Sequence, residues 1–128
     1  MPVATAIPMK EQFASITTKQ EFSYALRDFL DHFRRAPDPA LLDAEPDLLA
    51  SRLDDNTLAD AYLASVAASL AHEHGWPAPK WAQGTERALK TPYFAAKTAN
   101  LNAVLLQESP TEFRLRNIFV SANALSRA

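Results

Sequence analysis

The sequence predicts an all-α fold: a single compact bundle of about five to six helices, with a long central helix near residues 57–74. Three observations predict it. Apolar residues recur every three to four positions along the two longest periodic stretches. The segments between them are punctuated by proline and by helix-capping residues rather than by hairpin turns. The one extended apolar step, Ile118-Phe119-Val120, has no second long β-type run to pair with, so no sheet is expected.

Residues 1–17 read as an N-terminal arm with one helical turn near Lys10 to Ser15, and residues 18–128 as a single helical domain. The first firm helix starts at Thr18, where Thr18-Lys19-Gln20-Glu21 fits a capping box. Behind it, Phe22, Leu26, Phe29, Leu30 and Phe33 form one apolar stripe. Arg34 and Arg35 suit the negative end of the helix dipole, and Pro37 and Pro39 prevent continuation.

Asp38-Pro39 and Glu45-Pro46 each look like a cap followed by proline at the first helical position. Two short helices are expected there, with Leu41, Leu42, Leu48, Leu49 and Leu53 inward. Asp54-Asp55-Asn56 then breaks the chain and caps the central helix. In that helix Leu58, Tyr62, Val66 and Leu70 are spaced by four, and alanines favour both helicity and close packing. Gly75 is expected as the left-handed stop.

Trp76-Pro77-Ala78-Pro79-Lys80-Trp81 reads as a stiff connector. Glu86 to Lys90 suggests a helical turn, and Asn100 to Leu106 a short buried helix. Ser109-Pro110-Thr111-Glu112 combines a serine cap, proline at N1 and glutamate at N3, so a helix through Arg116 should follow. Asn117 suits a left-handed stop, and Ser121 caps a last turn through Leu125.

Composition excludes several classes of chemistry. Cysteine is absent, so disulfides, thiolate metal sites and cysteine nucleophiles are excluded. The two glycines, Gly75 and Gly84, cannot write a P-loop or a dinucleotide fingerprint. No apolar run approaches the roughly 18 residues of a membrane span. The first residues carry neither a basic region nor an export-length apolar core, which makes the cytoplasm the expected compartment.

The formal net charge is −2, but it is unevenly placed. Residues 1–75 hold 6 basic and 12 acidic side chains, whereas residues 76–128 hold 7 basic and 3 acidic ones. Either the two halves neutralise each other inside the fold, or they form a bipolar surface that steers a charged partner. A nucleic-acid patch would need Arg87, Lys90, Lys97, Arg114 and Arg116, which are dispersed rather than clustered.

Candidate catalytic constellations fail on spacing. His72 and His74 are two apart and diverge by about 200° on a helix. A zinc helix wants them at i, i+4. His32 would have to join from elsewhere. Both histidines suit carbonyl capping before Gly75. Asp54-Asp55 and the Asp43, Glu45, Asp47 run read as solvated caps rather than a paired acid and base. Ser65 and Ser69 share a helix face, with His72 three residues after Ser69, yet no glycine elbow or oxyanion hole accompanies them. The concentrated aromatics, Trp76, Trp81, Tyr93 and Phe94, either close the core over one end of the central helix or anchor a partner. Arg114 and Arg116 either cap carbonyls and pair with the acidic half or bind an anion.

Glu108-Ser109-Pro110, Phe113-Arg114 and Arg116-Asn117-Ile118-Phe119-Val120-Ser121 make an ESPxxFRxRNIFVS-like end. This end resembles that of a group of small uncharacterised bacterial all-helical proteins. The resemblance extends to the helix from Phe22 to Phe33, the connector from Gly75 to Trp81 and the Pro92-Tyr93-Phe94 step. Related segments occur behind helix-turn-helix domains, in settings like transcriptional regulators or toxin–antitoxin modules. The resemblance implies a regulatory or partner-binding role and carries over no catalytic residue. The chain has no glycine-containing three-residue turn between two short amphipathic helices, hence no helix-turn-helix of its own.

The expectation is a non-enzymatic helical protein that binds another protein or itself. No cofactor, metal or membrane is expected, and nucleic acid is disfavoured. Trp76, Trp81, Tyr93, Phe94, Arg114 and Arg116 are the binding candidates. One alternative is an enzyme whose site gathers His72, His74, Asp54, Asp55, Arg114 and Arg116. The other is a nucleic-acid-associated regulator of toxin–antitoxin type.

Overall fold

The computed structural model describes residues 7–53, 57–95 and 109–120. The described residues are mostly helical: α1 (Met9–Gln12), α2 (Lys19–Arg35), α3 (Ala40–Asp43), α4 (Ala50–Leu53), α5 (Leu58–Glu73) and α6 (Thr111–Arg114). Single 3₁₀ turns occupy Lys80–Gln83 and Thr85–Arg87. The expected helices after Asn100 and after Ser121, and the caps at Asp54 to Asn56, lie outside the described residues.

Over its described residues, 7–17, the N-terminal arm packs on the body. Met9, Phe13 and Ile16 are buried, and α1 packs on α2 and α3. The capping box at Thr18 forms: Thr18 Oγ1 accepts from the Glu21 amide at 3.1 Å, and the Glu21 carboxylate accepts from the Thr18 amide at 3.2 Å. Donors from the Thr17 amide, the Thr17 hydroxyl and Thr18 hold the Glu21 carboxyl below its ordinary pKa. The expected stripe of α2 is inward, with Leu26, Phe29, Leu30 and Phe33 buried and Phe22 half-buried against them.

Helix α5 is more enclosed than a single stripe implies. Every residue from Ala59 to Ala71 is buried except Tyr62, which is half-buried. Alanine and serine on the remaining faces let α4, α6 and both 3₁₀ turns approach the backbone. Aromatic rings then tie four helices together. Phe13 meets Phe22 at 5.3 Å, Phe22 meets Tyr62 at 6.4 Å, and Tyr62 meets Phe113 at 5.1 Å between centroids. The helix ends in the expected glycine stop. Gly75 takes φ 72, the Trp76 amide donates to Ala71 O at 2.8 Å, and the Gly75 amide donates to His72 O at 3.1 Å. At its start Thr57 takes φ 66, a strained conformation for a β-branched residue.

Four local expectations are corrected. First, Glu45-Pro46 starts no helix. The amides of Leu49 and Ala50, which open α4, donate instead to the carboxylate of Asp60 on α5. A tertiary contact thus replaces the local cap. Second, Leu48 points outward. Third, a minimal sheet exists: β1 (Tyr93–Phe94) pairs in parallel with β2 (Ile118–Phe119), Tyr93 opposite Ile118. Two residues per strand were too few to register as a periodic run.

Fourth, Ser109 is not a helix cap. Helix α6 is preceded by Pro110 and has no side-chain cap. The buried Ser109 hydroxyl donates to Val120 O and accepts from the Val120 amide, both at 2.9 Å, so it stands in for a strand beside Val120. Ser109→Ala therefore removes partners from two buried backbone groups rather than from one helix terminus. We expect it to cost about 1–3 kcal/mol, read as a lowered melting temperature; an unchanged melt would show that the bridge adds nothing. Asn117 does adopt the expected left-handed stop, at φ 64, and its side-chain amide donates to Leu89 O at 2.8 Å.

Candidate functional site

The most polar part of the interior is a knot around Arg87, which the sequence placed in a dispersed basic surface. Arg87 is fully buried. Its guanidinium donates to Pro46 O at 2.6 Å, to the Glu45 carboxylate at 3.1 Å and to Asp60 O at 3.3 Å. The Asp60 carboxylate lies 3.8 Å away, and the guanidinium carbon sits 4.9 Å from the Trp81 ring centroid, within cation–π range. Trp81 Nε1 in turn donates to Leu42 O at 2.8 Å. One residue of the basic half thus joins Glu45 and Asp60 of the acidic half, so part of the charge asymmetry is neutralised inside the fold. The knot's chemistry is consumed in holding the 42–50 loop to α5.

Arg116 is a second latch, not an exposed anion contact. It donates through Nε and Nη2 to Ala82 O, at 3.2 and 2.8 Å, and through Nη1 to Glu112 O at 2.7 Å. Burial pulls its pKa below the ordinary value, and Glu112 opposes that shift. Arg114 is exposed and donates to the Thr111 hydroxyl at 3.3 Å.

The four candidate aromatics separate. Trp81 lies in the Arg87 knot. Trp76 closes the end of the core, with its ring 6.0 Å from Phe33 and stacked on His74 at 4.6 Å. Phe94 stacks on Phe119 at 4.9 Å, across the β1–β2 pair. Tyr93 is exposed on the other side of β1, where it raises the pKa of Tyr62 in second place to burial.

Clefts of two sizes bear on the candidate residues. The smaller, about 290 Å³, lies between the end of α5, the connector and α6. His72, Trp76, Ala78, Glu112, Leu115 and Arg116 are on its walls. It brings together two of the residues of the enzyme alternative, His72 and Arg116. Arg116 is spent on carbonyl groups. Ser69, one turn earlier, keeps its hydroxyl buried without a hydrogen-bond partner among the described residues. His74 turns away onto Trp76 and Phe33. Asp54 and Asp55 lie outside the described residues. Among the described residues no group of three His, Asp or Glu side chains is arranged to hold a metal ion, and no helix is long and apolar enough to cross a membrane.

The larger cleft, about 790 Å³, was not foreseen in the sequence. Its walls come from the first residues of α2 and α5 and from the segment between Thr85 and Tyr93. These stretches are far apart in the chain, and the one motif among them, the capping box around Lys19, signals a helix start rather than a site.

Comparison with family models, with curated proteins and with solved structures finds no match. The fold places the chain in the class of mostly helical proteins built on one buried central helix.

Proposed function

We propose that this protein is a non-enzymatic interaction module that regulates another protein by binding it. The resemblance of its C-terminal segment to small bacterial helical proteins supports a regulatory or partner-binding role. The observation that carries the reading is Leu115. Its neighbours Phe113 and Arg116 are buried, yet Leu115 is 74% exposed. It stands at the edge of the smaller cleft, beside Trp76 and Ala78. An apolar side chain left in water next to a part-apolar concavity matches the centre-and-rim anatomy of binding surfaces, with His72 and Glu112 as the polar rim.

Because Leu115 is exposed, Leu115→Arg should leave the melting temperature unchanged. Affinity capture with mass spectrometry, together with light scattering for self-association, compares the two proteins. A partner or second copy held by the wild type and lost by Leu115→Arg is the expected result. A strictly monomeric wild type with no captured partner, or capture equal in both proteins, would overturn the proposal.

A further inference from the structure

The larger cleft is where the molecule offers unspent chemistry, and we infer that it is a binding site for a mononucleotide. Its volume of about 790 Å³ falls within the range of small-molecule sites. Two cations, Lys19 and Lys90, line it, and neither makes an ion pair with any described residue. The other cationic side chains near the interior, Arg87 and Arg116, are consumed by carbonyl and carboxylate groups. An anion entering this cleft therefore meets two ammonium groups without displacing an internal partner. Lysine suits a phosphate as a compact point charge.

The rest of the lining selects a particular kind of anion. Tyr93 offers an exposed phenol ring on one wall, 40% accessible. Aromatic faces of this sort stack nucleobases. Leu58 and Leu89 supply an apolar surface, and Glu86 a carboxylate acceptor. A carboxylate beside two lysines is ill suited to a bare polyanion. It matches a ligand that carries hydroxyl or amino donors at one end and a phosphate at the other. A base, a ribose and one phosphate provide an aromatic ring, donors and charge in that combination. The cleft and the Leu115 surface have no lining residue in common, so the site is separate from the proposed partner face.

Calorimetric titration of the full chain with AMP, GMP, CMP and UMP tests this, with inorganic phosphate and adenosine as reference probes. Saturable one-to-one binding of at least one mononucleotide is expected, weaker for adenosine and weaker still for phosphate. Lys19→Ala and Lys90→Ala should each reduce affinity about tenfold, and the reduction should shrink at high salt. Tyr93→Ala should reduce affinity for the mononucleotide and for adenosine alike, by about tenfold. All three side chains are exposed, so melting temperatures should hold. No saturable binding at about 5 mM nucleotide, phosphate bound as tightly as the nucleotide, or affinity unmoved by both lysine variants would overturn the site. Leu115→Arg should bind nucleotide like the wild type, so failure of the partner face and failure of this site are separately visible.

Discussion

Arg87→Ala is expected to destabilise the fold by about 3–5 kcal/mol, the range seen when one partner of a buried ionic network is removed. The substitution takes the donor from Pro46 O and from Asp60 O, both in the interior, and removes the cation facing Asp60. The Glu45 contact adds little, because that carboxylate is about half exposed and screened. A large side chain also leaves from above the Trp81 ring, so a cavity opens where packing was complete. Against a total stability of about 5–15 kcal/mol, this is a large fraction.

Arg87→Lys distinguishes charge from geometry. One ammonium cannot reach Pro46 O, Asp60 O and Glu45 in the way a planar fork does, so lysine should recover less than half of the loss. The Nε of Arg87 has no hydrogen-bond partner among the described residues, a cost the network already carries. Chemical denaturation of the three proteins provides the measurement. Equal midpoints for wild type and Arg87→Ala would show that the knot is dispensable. Equal midpoints for lysine and arginine would show that charge alone matters.

How much of this was legible in the sequence depends on whether the signal was local. The capping box at Thr18, the glycine stop at Gly75 and the Asn117 stop each rest on residues within four positions, and each formed as read. Apolar periodicity placed α2 and α5 and most of their inward residues correctly. Arg87, Asp60 and Ser109 failed for the opposite reason. Their partners are 10 to 42 residues away, and no spacing rule connects them. Ser109 shows the hazard well. It fits a cap by local pattern, yet the stronger demand came from the backbone of Val120. The candidate clefts were illegible on the same ground, since the larger is assembled from three distant segments and the smaller from two. One hint was available: Arg87 and Asp60 are the sort of residues that a mostly buried chain must pair, and the acidic run before α5 had too few local cations to do so.

Val66→Asp is expected to abolish folding at ordinary temperature. Val66 is completely buried at the middle of α5, in the hydrophobic cluster shared with Leu63, Ala67 and Leu70. Val66 and its neighbours Leu63, Ala67 and Leu70 are all fully buried, so the carboxylate has no local route to water. It must either ionise without a partner or fold protonated, and both routes cost several kcal/mol. Adding the lost packing of the valine brings the total near the stability of the domain. The graded control is Val66→Thr, nearly the same shape. Its hydroxyl can return to the carbonyl one turn earlier on the helix, as Ser65 does to Ala61 O at 2.9 Å. Threonine should therefore cost about 1–2 kcal/mol and leave a cooperative melt. Circular dichroism and thermal melting check both variants. A folded Val66→Asp with a melt near that of threonine would mean that α5 has a wet face at Val66, and the central placement of this helix would have to be abandoned.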